Sequence, residues 1–107
     1  MTTKVDLVDM PAELADRVRA ATAHAEYRSI ARGDEAWVVG AVTGDRVVLM
    51  ELALRPDGSV AERTETFLVS EVGAATVEGT AGTLELVRGG ERRKLPVPPG
   101  LARRLAG

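Results

Sequence analysis

The chain contains no cysteine. That absence excludes disulfides, thiolate metal sites and a thiol nucleophile. Histidine occurs once, as His24, which excludes a multi-histidine metal centre. No metal or other cofactor is expected. Aromatic residues are limited to Tyr27, Trp37 and Phe67, so the core must be mainly aliphatic. Asparagine and glutamine are absent, and 12 arginines stand against two lysines. No apolar run approaches the roughly 20 residues that cross a bilayer as a helix. The opening MTTKVDLVDM lacks the charged-then-apolar pattern of a signal peptide, so a cytoplasmic protein without membrane contact is expected.

What remains is an ordinary globular composition: 107 residues, 45% hydrophobic and 28% charged, with a formal net charge of −2. A chain of this size forms one core, so residues 1–107 are expected to make a single domain. No internal repeat or low-complexity linker divides it.

The alanine-rich stretch Pro11–Arg32 reads as a helix. Asp9 stands where it can cap, Pro11 sits where a missing N–H costs nothing, and Gly33 is a plausible stop. Leu14, Val18, Ala21 and Ala25 form one stripe on that helix. Ala20, Ala23, Tyr27 and Ile30 form a second, nearly opposite. Either the second stripe is solvated, or it meets another chain or a curved sheet.

The remainder has the alternation and turn chemistry of strands. Glu35–Thr43 and Arg46–Leu54 flank Gly44-Asp45, a pair suited to a type II′ hairpin turn. The resulting register sets Trp37 against Leu52, Val39 against Met50 and Ala41 against Val48. The opposite face, with Val38, Val42, Val47 and Leu49, is apolar except for Glu51, so both strands should be covered on both sides. Arg55-Pro56-Asp57-Gly58 is a turn whose three-residue loop sets Arg63 opposite Glu51, where the two could pair. That register aims Glu62, Thr64 and Thr66 at the core side, which implies a bulge, an edge strand or a polar cavity. A short strand near Ala74–Glu78, a turn at Gly79–Gly82, and a hairpin Thr83–Arg88/Glu91–Pro96 follow. In that hairpin Arg88 faces Glu91, Glu85 faces Lys94 and Leu84 faces Leu95. Pro96, Pro98 and Pro99 end the last strand, leaving 97–107 as a proline-rich tail in which Gly100–Ala106 forms at most a frayed short helix.

Catalytic chemistry finds little support. Ser29 and His24 are five residues apart and face different sides of a helix, and neither Ser59 nor Ser70 lies in a nucleophile motif. The glycines of GTAG and RGG precede no lysine–hydroxyl pair and read as hairpin turns rather than a phosphate loop. Charge is uneven: residues 88–107 carry a net +5, leaving −7 on the first 87. Arg92, Arg93, Lys94, Arg103 and Arg104 could contact phosphates, or could complement the acidic remainder. No nucleic-acid-binding motif accompanies them, so a nucleic-acid partner is not expected.

The expected architecture is α+β, an N-terminal helix packed on a curved antiparallel meander of about six strands. A small β-barrel with a flanking helix is the alternative. The expected function is a non-catalytic binding or assembly module that self-associates or meets a protein partner through Ala20, Ala23, Tyr27 and Ile30. A second reading is a small-molecule-binding or enzymatic pocket between helix and sheet, lined by His24, Trp37, Met50, Glu62, Thr64 and Thr66, and a third is nucleic-acid contact through the basic C-terminal segment.

Overall fold

The computed structural model describes residues 9–33 and 35–106. Residues 1–8, read above for a leader, and residue 107 of the tail lie outside that range. Helix α1 (Ala12–Ala21) is followed by strands β1 (Tyr27–Arg32), β2 (Trp37–Thr43), β3 (Arg46–Leu54) and β4 (Val60–Leu68). A 3₁₀ turn, Val69–Glu71, leads into β5 (Val72–Glu78), β6 (Ala81–Arg88), β7 (Glu91–Val97) and helix α2 (Pro99–Ala106). The fold is α+β, but not a single six-stranded meander. Strands β1-β2-β3-β4 form one antiparallel sheet and β5-β6-β7 a second, and neither closes into a barrel.

The long N-terminal helix divides in two. Pro11 is its first flanking residue, with a carbonyl that accepts from the N–H groups of Leu14 and Ala15, and no side chain caps it. The helix ends at Ala21. There the Thr22 hydroxyl and backbone N–H both donate to the Val18 carbonyl, at 2.6 and 2.9 Å, which closes the last turn. Tyr27–Arg32 then runs extended beside β2, with Ile30 opposite Val39. Gly33 ends this strand rather than a helix, its N–H donating to the Ala36 carbonyl.

The turn chemistry sets the other registers as expected. Trp37 faces Leu52, Val39 faces Met50, and Ala41 faces Val48. Gly44 has a positive φ and Asp45 does not, the pattern of a type II′ turn. Arg63 lies opposite Glu51, and in the second sheet Leu84 faces Leu95 and Arg88 faces Glu91. The turn expected at Gly79–Gly82 shortens to Gly79-Thr80, with Ala81 and Gly82 already in β6.

The first sheet has two covered faces. Leu14, Ala15 and Val18 of α1 pack with Met10 on Trp37, Val39, Met50 and Leu52. On the reverse face Val42, Val47 and Phe67 meet Leu84, Leu86, Leu95 and Val97 of the second sheet and Leu101 and Ala102 of α2. Expected as a frayed tail, the C-terminal helix instead inserts two fully buried side chains, Leu101 and Ala102. Gly40 makes this insertion possible, because a Cβ there would stand 2.4 Å from Leu101 Cδ2. Most of the apolar surface expected to seek a partner is thus covered within one chain. Val42 and Val47 are buried and Val38 and Leu49 half-buried. The exposed large hydrophobics among the described residues are Leu54 and Leu68.

Candidate interaction edge

The side chains expected to share one helical stripe are scattered. Ala20 is exposed near the end of α1, and Ala23 is exposed in the turn that follows. Tyr27 and Ile30 stand on opposite faces of β1, Tyr27 against the second core and Ile30 against the first. The stripe does not exist because its second half is strand, not helix.

Five of the six pocket residues share one face of the first sheet, with Met50 directly opposite Thr64, and only His24 lies off it. His24 is exposed in the turn after α1, whereas Trp37 and Met50 are core residues, with Arg32 stacked 5.1 Å over the indole. Glu62, Thr64 and Thr66 are on the expected face of the sheet, yet all three are exposed. Helix α1 is ten residues long and leaves that end of the face open except for the Arg17–Glu62 ion pair at 3.1 Å. Of the three possibilities for this polar run, the edge strand is the one realised, since β4 ends its sheet. An open depression of about 150 Å³ lies nearby, lined in part by Glu51, Ala53, Arg55, Ala61 and Arg63. Glu51 and Arg63 face each other in register there without forming an ion pair.

The five residues of the basic segment are exposed, and two of them pair with the chain's own carboxylates. Arg92 contacts Glu85 at 2.9 Å, Arg93 pairs with Glu65, and Arg104 stacks 5.4 Å over Tyr27. Glu85 therefore takes Arg92 as its ion-pair partner, although Lys94 is directly opposite. Lys94 and Arg103 are exposed and make no ion pair among the described residues.

Four strands end a sheet. At the margins of the second sheet β5 carries an irregularity between Val72 and Ala74, and β7 carries Arg92, Arg93, Lys94 and Pro96. Bulges, basic residues and proline are devices that blunt an edge. In the first sheet β1 has six residues, and α2 packs beside it. The fourth edge, β4, is the longest, at nine residues.

The β3–β4 turn fixes how β4 presents itself. Gly58 has φ +89°, and its N–H donates to the Arg55 carbonyl. The Asp57 carboxylate accepts from the Ser59 hydroxyl at 2.6 Å and from its N–H at 2.9 Å, which lowers its pKa below the usual carboxylate value. At the other end, the Leu68 N–H donates to Glu71 Oε1 at 2.8 Å, and the Thr66 carbonyl accepts from Arg88 Nη2 at 3.4 Å. Both groups therefore point away from β3. In an antiparallel ladder residues two apart point alike, so the backbone groups of Glu62 and Thr64 point outward too. No strand among the described residues pairs with them.

Glu71 and Arg88 form a clasp over the end of this edge, with Arg88 Nε donating to Glu71 Oε2 at 2.7 Å. Sequence spacing does not reveal it, because the two residues are 17 positions apart and meet only when the second sheet folds back. The Arg88 side chain, followed by the Leu68 N–H, holds the Glu71 carboxyl below its ordinary pKa. A depressed carboxyl stabilises the fold above its ordinary pKa, and that contribution is lost as pH falls through the depressed value. Glu71→Gln should thus lower the thermal unfolding midpoint at neutral pH. The difference from wild type should close in acid, below the depressed value. A pH-independent difference in a melting series would contradict this assignment.

No protein-family model, curated protein or solved structure shows a significant match to the chain.

Proposed function

We propose that this chain is a protein-binding and assembly module whose working surface is the outer edge of β4, where an extended strand of a protein partner adds to the first sheet. The single observation that supports this reading is the run of outward-facing backbone groups at Glu62 and Thr64, free of any described strand on the longest edge of the fold. Unpaired N–H and C=O groups in a row are a ready template for a further strand. Leu68, 40% exposed at one end of the edge, offers apolar contact beside them. Recognition of this kind needs no catalytic group, cofactor or metal.

A nine-residue peptide with the sequence VAERTETFL serves as the probe, because it matches the edge in length and in strand propensity. Added to the full chain, it should shift the amide resonances of Glu62, Thr64 and Thr66 and slow their hydrogen exchange. Thr64→Pro removes an N–H that β3 does not use, so the variant should fold normally and lose peptide binding. Unchanged Glu62 and Thr64 amides at millimolar peptide would overturn the reading.

A further inference from the structure

We infer that the strand added here is β4 of a second copy, running antiparallel about a two-fold axis at Thr64. The inference rests on the reading of β4 as the working surface and supplies the partner and the register. For the two copies to extend one sheet with matched faces, the axis must stand perpendicular to it, so a strand residue lies on the axis. With Thr64 there, all nine residues of β4 overlap. Thr64 then faces Thr64, Glu62 faces Thr66 of the second copy, and Arg63 faces Glu65 of the second copy. The last two pairs occur twice by symmetry.

Charge selects this register over its neighbours. Moving the axis to Arg63 sets arginine against arginine, and moving it to Glu65 or Glu62 sets carboxylate against carboxylate. Like charges directly opposite across strands are destabilising, and opposite charges and threonine pairs are favourable. An axis at Thr66 places Glu65 against Phe67, loses both ion pairs and shortens the overlap.

Backbone direction permits this register without choosing it: Glu62, Thr64 and Thr66 point their N–H and C=O outward, and any strand residue on the axis makes outward-pointing residues the hydrogen-bonded pairs of the new ladder. The clasp bounds its length. Leu68 N–H is held by Glu71, and the Thr66 carbonyl keeps one lone pair beyond its contact with Arg88. The junction therefore runs over Glu62–Thr66 of each copy.

Charged side chains commonly protect an edge from strand addition. Here they alternate in sign so that the strand complements itself. Glu51 lies across from Arg63, and Arg93 pairs with Glu65. Docking therefore continues a row that reads Glu51, Arg63, then Glu65 and Arg93 of the second copy, with neighbouring charges opposite throughout. A strand in another register leaves Arg63 without that carboxylate, so Arg63 and Glu65 determine partner choice.

The test uses full-length chains carrying Arg63→Glu, Glu65→Arg, or both, examined by sedimentation velocity, with unfolding midpoints to establish that each is folded. Wild type should associate reversibly with rising concentration. Each single variant opposes like charges twice and should self-associate about tenfold more weakly. An equimolar mixture of the two restores both acid–arginine pairs and should associate as wild type does. The double variant R63E/E65R restores them within one chain type while placing like charges beside Glu51 and Arg93 of its own chain, so it should recover association in part. A mixture and a double variant no tighter than the single variants would overturn the register while leaving strand addition standing. A wild type that stays monomeric while the VAERTETFL peptide binds the edge would overturn the second copy as partner. Failure of the peptide itself strikes the underlying reading instead.

Discussion

Replacing Leu101 by alanine should lower the unfolding free energy by about 2–5 kcal/mol, the range for removing a fully buried leucine. Leu101 has no exposed surface and lies against the first sheet at Gly40. The measurement is equilibrium urea denaturation, where a lower midpoint at constant slope reports lost stability. A loss under about 1 kcal/mol would mean that α2 is an appendage rather than part of the core, since surface substitutions usually stay within about 0.5 kcal/mol. The Gly40 contact adds a sharper control. Gly40→Ala alone places a methyl 2.4 Å from Leu101 Cδ2 and should cost about 1–3 kcal/mol through overpacking. In the Leu101→Ala background the same methyl enters the vacated space, so its cost should fall by a coupling of about 0.5–3 kcal/mol.

A second large effect is expected at Val47. This residue is fully buried on the reverse face of β3, where the two sheets and α2 meet. Val47→Asp places a carboxyl there with no built partner. Desolvation of a charge, or of a neutral carboxyl lacking hydrogen bonds, costs several kcal/mol. Total stabilities of about 5–15 kcal/mol leave little margin for this, so the variant should be unfolded at neutral pH by circular dichroism. The outcome separates two readings of an apolar face. A folded, monomeric Val47→Asp chain would mean that the face is a junction between subunits and not an internal wall.

Turn chemistry explains why so much of the sheet pairing was legible. Gly44-Asp45 fixes a two-residue loop, so every pair along β2–β3 follows from it, including Trp37 with Leu52. Pro56-Asp57-Gly58 does the same for β3–β4, and Gly89-Gly90 for β6–β7. β1 was not legible, because Ala20, Ala23, Tyr27 and Ile30 have helical spacing while Tyr27–Arg32 also suits an extended strand. Pairing with β2 decides between them, and that contact is nonlocal. The division into two sheets turns on the short Val69–Glu71 turn, which no strong breaker announces. The C-terminal helix is masked in the sequence because its prolines read as an ending. Pro99 is instead the first helical residue, a position where proline is favoured.

The candidate site was legible as a conflict. Glu62, Thr64 and Thr66 pointed toward a core they could not join, and the pattern alone could not show that α1 stops short of them. The clasp on β4 was invisible, since Glu71 and Arg88 become neighbours only through the packing of one sheet on the other.

The hairpin of β2 and β3 is a party wall between two rooms. Val39 and Met50 furnish one side, and Val42 and Val47 the other. Neither room can be emptied without stripping the lining from the opposite surface of the same two strands. A lesion beneath α1 and a lesion beneath α2 therefore weaken one shared partition, and the chain is expected to melt as a unit although its greasy interior is split in two.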